Sequence, residues 1–404
     1  MWFRRWQGAV VLLALGEVFS CALTSAGGVK CWGWNVSTLG SQREPVDVSG
    51  LSSGVLVQAG AVTLVAGGGT DSSSGVVGHV CAVMVGGGVK CLGMHNSNGS
   101  HLGIGDGTGY WRTTAVDVSG LSSGVTALAS GANHTCALQA GGVKCWGKNV
   151  SGQLGDGTVT NRLTPVSVGG LSSGVAQLAA YDHTCAVTEG GGLKCWGYNN
   201  QGQLGDGTET NRYAPVAVDG LSSGVAAVAA GSTHTCALTS GGAVLCWGRG
   251  GEGQVGDGAL RQRLTPADVA GFGRTNVIPT VTPTVQPTAT PAPAGFNYRA
   301  QAVAAGQLHS CAVTDGGGVR CWGSNDQGQL GDGTVSYQLT PVSVVGLNSG
   351  VVLLAVADST SCALTSAGGV KCWGGNNQQR EPVDVSGLSS GVLVQPGAVT
   401  LAGV

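Results

Sequence analysis

The cysteines of this chain divide it into seven copies of one short unit. All 14 cysteines fall into pairs that bracket nearly the same text, which begins Cys-Ala and ends Cys-Trp-Gly. The pairs are Cys21/Cys31, Cys81/Cys91, Cys136/Cys145, Cys185/Cys195, Cys236/Cys246, Cys311/Cys321 and Cys362/Cys372. A unit repeated along a chain buries its apolar face against its neighbours, so the pattern predicts a repeat architecture.

Each unit has the pattern of four short β-strands. In the third, Val125–Ala129 is an apolar run, His134–Leu138 alternates, and Val143–Gly147 follows a short turn. A polar loop then leads to a fourth segment, which recurs as Pro45–Val48, Ala115–Val118, Pro165–Val168, Pro215–Val218, Pro266–Val269, Pro341–Val344 and Pro382–Val385. Four strands per unit and seven units predict an all-β fold, a seven-bladed β-propeller of four-stranded blades.

Hairpin geometry predicts a disulfide in each blade. A two-residue turn at Ala140-Gly141 pairs Gln139 with Gly142 and places Cys136 opposite Cys145 at a non-hydrogen-bonded site. The Cα atoms there are about 4.5 Å apart, within disulfide reach. The longer spacing needs a three-residue turn, for which Glu189-Gly190-Gly191 is suited. The alternative is reduced cysteines packed as small apolar residues, while the spacing argues against zinc.

Paired cysteines favour an oxidising compartment, so we expect a secreted or cell-surface protein. Residues 1–20 resemble an export signal, with Arg4-Arg5 before an apolar run, but Ala9–Leu15 also aligns with the first strand of a blade; both interpretations stay open. The net charge of −2 argues against a nucleic-acid surface. No segment is long enough to span a membrane as a helix.

The text His-Thr-Cys-Ala-Leu, followed by Gly-Gly-Val-Lys-Cys-Trp-Gly and Gly-Gln-Leu-Gly-Asp-Gly-Thr, closely resembles the regulator-of-chromosome-condensation repeat. Residues 133–168, 182–218 and 233–269 carry the resemblance best. It implies a seven-bladed propeller. Family members include a chromatin nucleotide exchange factor, a plant ultraviolet photoreceptor and a secreted bacterial β-lactamase inhibitor. The paired cysteines resemble the bacterial extracellular branch.

The resemblance also argues against photoreception. The photoreceptor's tryptophans precede the His-Thr dipeptide, where this chain has Asn133, Asp182 and Thr233. Here the tryptophans stand in Cys-Trp-Gly, and we expect them to pack between blades. They are Trp32, Trp146, Trp196, Trp247, Trp322 and Trp373, with Leu92 in the second unit.

Two recurring polar positions are candidate sites. The histidines two residues before the first cysteine are His79, His134, His183, His234 and His309. We expect each to hydrogen-bond within its own blade rather than to form a metal ring. The Gly-Asp-Gly aspartates are Asp106, Asp156, Asp206, Asp257 and Asp332. We interpret them as turn formers, with calcium as the alternative. No catalytic constellation, metal site or cofactor site is predicted.

One segment departs from the repeat. Residues 276–296 form a Pro/Thr-rich linker that separates blades 1–5 (residues 1–275) from blades 6–7 (residues 297–404), which close the same ring. Within the linker, the candidate O-glycan acceptors are Thr280, Thr282, Thr284, Thr288 and Thr290. The alternative is a bare flexible loop.

The two chain ends also depart from the repeat. Residues 43–64 match residues 380–401 at all but one position, and both end units lack the Gly-Gln-Leu-Gly loop. Val392–Leu401 is then a surplus first strand, for which three alternatives stay open: it covers its own ring, enters a neighbouring subunit or remains a disordered tail.

These features predict a non-catalytic extracellular scaffold that mediates protein–protein or cell-surface interactions. The expected partner is another protein or an identical subunit, with glycans as an addition. Two alternatives remain, a structural subunit of a surface layer or fibre and an inhibitor of a secreted enzyme. Partner choice in propellers depends on variable loops, so the repeat does not identify the partner.

Overall fold

The computed structural model describes residues 10–16, 19–35, 40–57, 63–71, 75–93, 104–110, 112–273, 298–375, 378–386 and 388. Within these residues the chain forms seven four-stranded antiparallel sheets, each built from four consecutive strands. This arrangement confirms the predicted seven-bladed propeller. Blade 1, for example, takes all four of its strands from the N-terminal part of the chain.

The strands are numbered in chain order. Blades 1 to 3 contain β1 Val10–Leu15, β2 Phe19–Thr24, β3 Val29–Asn35, β4 Gly40–Asp47, β5 Leu64–Asp71, β6 Gly75–Val83, β7 Val89–Gly93, β8 Arg112–Asp117, β9 Val125–Ser130, β10 His134–Gln139, β11 Gly142–Gly147 and β12 Arg162–Ser167. Blades 4 to 7 contain β13 Val175–Ala180, β14 His183–Thr188, β15 Leu193–Gly197, β16 Arg212–Ala217, β17 Val225–Ala230, β18 His234–Thr239, β19 Val244–Gly248, β20 Arg263–Asp268, β21 Ala300–Ala305, β22 His309–Thr314, β23 Val319–Gly323, β24 Gln338–Ser343, β25 Val351–Val356, β26 Thr360–Thr365, β27 Val370–Gly374 and β28 Gln379–Asp384.

The first strands of the blades surround the axis of the ring. Each contacts the first strands of the two neighbouring blades, and β1 meets both β5 and β25, so the ring closes. The contact between the first and last blades is apolar, because Leu13 of blade 1 and Leu353 and Ala355 of blade 7 belong to one buried cluster. Burial of this kind contributes roughly 25 cal/mol per Å² of apolar surface.

The fourth strands differ from their predicted bounds. In blade 3 the strand covers Arg162–Ser167 rather than Pro165–Val168. Residues 162–164 extend the ladder because Arg162 pairs with Gly147 of the third strand. Val168 lies past the strand but is buried, which is why its apolar character resembled that of a strand residue.

The hairpins have the predicted register. Gln139 pairs with Gly142 across the two-residue turn, and Ala140 and Gly141 both adopt positive φ, as such a turn requires. In blade 4, Thr188 and Gly192 hydrogen-bond to each other around the three-residue turn. Both registers place the two cysteines directly opposite each other.

All seven predicted disulfides are present, one in each blade hairpin. Their Cα–Cα distances lie between 4.0 and 4.2 Å, the close spacing of a non-hydrogen-bonded pair. Among the described residues no cysteine is reduced. In blade order the bonded pairs are Cys21–Cys31, Cys81–Cys91, Cys136–Cys145, Cys185–Cys195, Cys236–Cys246, Cys311–Cys321 and Cys362–Cys372.

Two predicted segments lie outside the described residues. They are the linker 276–296, with its five threonines, and the surplus strand Val392–Leu401. On the two sides of the linker, the Tyr298 amide donates to the Gly271 carbonyl at 2.8 Å. The ends of the ring that the linker joins are therefore already adjacent.

Candidate functional site

The two faces of the ring carry different connections. One, here called the loop face, carries the turns between first and second strands and the long loops between third and fourth strands. In blade 3 the Lys148 amide of the long loop donates to the Asn133 carbonyl of the turn at 2.8 Å. The other, the hairpin face, carries the disulfide-closed hairpins.

The disulfide cysteines lie inside the blades and on neither face. The first member of each pair stands on the second strand, and the second member stands on the third strand, opposite a residue of the fourth; Cys31, for example, also pairs with Val46. The third-strand cysteines are buried in six blades, at Cys31, Cys91, Cys145, Cys195, Cys246 and Cys321. Cys372 of blade 7 differs, because it is only partly buried. Each disulfide therefore links the second and third strands of one blade, and the paired cysteines offer no thiol to a partner.

The long loops of blades 3, 4 and 6 are organised around one buried asparagine and one aspartate. In blade 3, Asn149 Nδ2 donates to Asp156 Oδ1 and to the carbonyls of Thr158 and Thr160, each at 3.1 Å. Arg162 donates to Asp156 Oδ2 from both Nε and a terminal nitrogen, at 2.9 and 2.8 Å. These side chains hold the loop in one conformation before any partner is present.

The aspartates therefore act within the loops, as predicted. The Thr158 hydroxyl donates to Asp156 and, with Arg162, lowers the pKa of that carboxyl, although burial alone would raise it. The same Asp–Arg pair recurs at Asp106, Asp206 and Asp257, while Gln338 takes the place of the arginine beside Asp332. Within the described ranges, no group of three or more His, Cys, Asp or Glu side chains is arranged to hold a metal ion.

The histidines bond between blades, so the prediction of bonds within one blade is wrong. His134 Nε2 lies 2.8 Å from Thr184 Oγ1 of the next blade. The same contact joins His79 to Thr135, His183 to Thr235, His234 to Ser310 and His309 to Ser361. Neighbouring residues of a strand point to opposite faces. The histidine therefore faces the following blade, and the hydroxyl beside it receives the histidine of the preceding blade.

The hydroxyl determines the histidine tautomer. The Thr184 hydroxyl donates to the Gln153 carbonyl at 2.8 Å, so its oxygen accepts a hydrogen bond from the Nε2–H of His134. The neutral ring therefore carries its proton on Nε2. Burial lowers the pKa of His134 from 6.5 to about 3, with His79 and Lys148 adding to the effect. His183, His234 and His309 also have a pKa of about 3, chiefly because they are buried.

The tryptophans pack between blades, and those of blades 4 to 7 also hydrogen-bond to the preceding blade. Trp196 Nε1 donates to the Gln153 carbonyl at 2.9 Å, and Trp247, Trp322 and Trp373 bond in the same way to Gln203, Gln254 and Gln329. Leu92 fills the equivalent position in blade 2 and is fully buried. Trp32 is the exception, since it is only partly buried.

The mouth of the axis on the loop face carries a contact that the repeat pattern did not indicate. Tyr181 occupies a turn of blade 4 where most blades have glycine, and its hydroxyl donates to Asp358 of blade 7. The two blades are not neighbours, so the bond spans the mouth. Nearby, burial raises the pKa of Asp182, which accepts a 3.4 Å hydrogen bond from Ser232 Oγ.

Exposed apolar side chains are concentrated on the loop face. The exposed fraction is 69% for Tyr110 in the loop of blade 2, 48% for Tyr213 at the start of β16 and 44% for Tyr337 in the loop of blade 6. Val150 and Val159 of the blade 3 loop are also exposed. Exposed aromatic residues on rigid loops are typical of protein-binding surfaces.

The described part of the chain forms no helix of the length and apolarity needed to cross a lipid bilayer.

The fold is that of a seven-bladed propeller with a disulfide in each blade and with long loops and exposed aromatic side chains on one face. Two models of the "Regulator of chromosome condensation (RCC1) repeat" match this chain. The first matches residues 140–187, 191–238, 241–282 and 316–364, and the second matches 125–153, 225–254 and 300–329. The chain belongs to the regulator of chromosome condensation repeat family.

Solved propellers of the same fold include yeast Prp20p and human WBSCR16. Prp20p is 21% identical, with a TM-score of 0.66 over 88% of this chain and 82% of its own. WBSCR16 is 22% identical, with a TM-score of 0.69 over 89% of this chain and 88% of its own. These similarities show the fold.

Curated relatives match over shorter segments. The human E3 ubiquitin-protein ligase HERC2 is 32% identical over 37% of this chain and 3% of its own length. The Arabidopsis thaliana ultraviolet-B receptor UVR8 is 30% identical over 36% of this chain and 29% of its own length. The chain thus spans less than a third of either relative. Prp20p is described as binding Gsp1p and histones.

Proposed function

We propose that this protein is a non-catalytic, extracellular or cell-surface propeller whose loop face binds another protein. The observation that carries the proposal is the loop face itself. Exposed Tyr110 lies in the blade 2 loop, where Arg112 donates to Asp106. Exposed Tyr213 lies at the start of β16 beside Arg212, which donates to Asp206. A partner would therefore bind a surface that loses little conformational entropy on association.

The disulfides support the extracellular part of the proposal. Every blade hairpin is closed by one, and a reducing cytosol opposes such bonds. Seven pairs give the blades a covalent closure that does not depend on a partner. Peptide mapping of the protein from its source, without reduction, is expected to recover seven linked hairpins. Recovery of several alkylated thiols would contradict the extracellular assignment.

Photo-crosslinking tests the binding face. A photoreactive amino acid replaces Tyr213 on the loop face or, in the matched control, Val85 on the hairpin face, where the side chain is 71% exposed. Crosslinking is carried out at the outer surface of the source cells and in their medium. We expect one discrete protein adduct from position 213 and none from position 85.

Two results would contradict the proposal. Equal labelling from both positions would show that the loop face has no special role, and the absence of any adduct from either would argue against protein binding. An adduct that consists of two copies of this chain would instead support the structural-subunit alternative.

A further inference from the structure

In blades 4 to 7, the third-strand tryptophan and the second-strand hydroxyl opposite it form a binding site, here called a seat. The long loop of the preceding blade occupies this seat. The loop supplies one carbonyl that accepts two hydrogen bonds. The Gln153 carbonyl takes them from Trp196 Nε1 at 2.9 Å and from Thr184 Oγ1 at 2.8 Å. The same double acceptance occurs at Gln203, Gln254 and Gln329.

The next two residues of the loop complete the fit. Leu154 is fully buried, and Gly155 lies so close to the indole that an added Cβ would stand 2.7 Å from Trp196 Nε1. Gly155 also has a φ of +66°, which favours glycine. Leu204-Gly205 and Leu330-Gly331 repeat both features. The ligand of each seat is therefore a turn with an accepting carbonyl, a buried aliphatic side chain and a glycine.

Blade 1 has the receiving half of this seat. Ser20 pairs with Trp32 across β2 and β3, in the register in which Thr184 pairs with Trp196. The two donors, an indole N–H and a hydroxyl, therefore stand side by side in blade 1 as they do in blade 4. No described residue forms a hydrogen bond with either side chain.

The connection that corresponds to the seat-filling loop is short in blade 7. Its third and fourth strands, β27 and β28, are joined by residues 375–378, and the Gln378 amide bonds back to the Gly375 carbonyl at 2.8 Å. Blade 3 uses residues 148–161 for the same connection. Trp32 and Ser20 are accordingly partly exposed, whereas Trp196 and Thr184 are fully buried.

We propose that the Trp32–Ser20 seat binds a Gly-Gln-Leu-Gly-like turn of a partner protein. The inference rests on the proposed protein-binding function and names one site for it. The occupied seats of the same ring show the chemistry of the ligand. A second copy of this chain is a poor donor, because its own Leu154 and Leu204 are already buried in seats of their own ring.

The chain provides a probe for this seat. A synthetic peptide of residues 148–162 contains the Gln153-Leu154-Gly155 segment together with Asn149, Asp156 and Arg162, whose side chains hold the loop in shape. Titration calorimetry with the full-length protein measures its affinity. Fluorine NMR of 5-fluorotryptophan-labelled protein reports the site, because the Trp32 signal is the one that disappears in Trp32→Leu.

We expect saturable binding that shifts the Trp32 signal. Trp32→Leu should weaken binding at least tenfold and still fold, because Leu92 fills the same position in blade 2. Ser20→Ala, which removes the second donor, should weaken it severalfold. Val85→Ala, a change at an exposed side chain on the hairpin face, is the matched control and should leave the affinity unchanged. A Gly155→Ala peptide should not bind, since the added Cβ collides with the indole.

Three results would overturn the inference. They are the absence of saturable peptide binding, equal affinity for the wild type and Trp32→Leu, and a Trp32 fluorine signal that the peptide does not shift. A crosslinked partner at position 213 that persists in Trp32→Leu would reject this seat and leave the proposed function standing. Loss of that partner together with the peptide affinity would support both.

Discussion

Acid is expected to weaken this ring through its buried histidines. His134, His183, His234 and His309 are fully buried and neutral, and their pKa is lowered from 6.5 to about 3, mainly by burial. Nδ1 of His183 and of His234 has no partner among the described residues. Protonation would thus add an unpaired, buried N–H to a buried positive charge.

The sign of the effect follows from proton binding. The unfolded chain takes up protons on these histidines below about pH 6.5, while the native ring does not. The stabilisation is therefore complete above that pH and is lost as the pH falls from 6.5 towards 3. At about pH 5 each histidine should lower the free energy of unfolding by roughly 2 kcal/mol relative to neutral pH. Four of them should lower it by on the order of 8 kcal/mol if they act independently.

The carboxyl groups with shifted pKa values contribute little to the loss of stability between about pH 7.5 and about pH 5. The pKa of Asp156 and of Asp206 is lowered from 3.8, so the stabilisation from these carboxyls is lost only at lower pH. The pKa of Asp182 is raised by burial, so the charged form opposes folding and acidification relieves it. That contribution has the opposite sign to the histidine effect.

Guanidinium chloride unfolding without reductant measures the effect at the two pH values. The wild type should have a markedly lower free energy of unfolding at the lower pH. His234→Gln should lose about a quarter of this pH dependence, because its amide can still donate to Ser310 but does not titrate. Tyr110→His, which adds an exposed imidazole at a side chain that is 69% exposed, is the control and should behave as the wild type. Equal stability at both pH values, or an unaltered pH dependence in His234→Gln, would refute the reasoning.

Three further perturbations test the ring. Removing one disulfide by Cys185→Ala with Cys195→Ala should cost about 3 kcal/mol or less in denaturant unfolding, because the closed loop is short, and solution scattering should still show a closed ring. Trp196→Leu should cost about 2 kcal/mol by the same assay through the lost interblade bond and the void it leaves, and an unchanged stability would contradict its bonding role. Deleting residues 276–296 should leave the thermal unfolding midpoint nearly unchanged, because the flanking residues already bond to each other; unfolding of the deleted protein would contradict this.

The blade hairpins could be predicted because everything that defines them is local. The turn, the register and the facing cysteines all lie within the span of one pair, such as Cys136 to Cys145. Alternation along a strand then separates two faces. The number of blades followed from counting, without any long-range information.

The bounds of the outer strands were less predictable. Pro165 is the first residue that the sequence predicts, yet the strand begins at Arg162, whose side chain also donates to Asp156 of the loop. An arginine in a polar loop has no local signal for such a double role. Its position depends on the folded loop that it closes.

The sequence alone thus determined the repeat, the count of blades and the pairing of cysteines, since each depends on residues close in the chain. Only the tertiary structure decided which residues of the neighbouring blades each side of a strand contacts. Alternation places His134 and Thr135 on opposite faces, but only the stacking of blades directs the histidine to Thr184. Only ring closure brings Tyr181 to Asp358, which are far apart in the chain, and only the short connection in blade 7 leaves Trp32 partly exposed. Contacts between blades depend on the rotation from one blade to the next, and that rotation is a property of the closed ring.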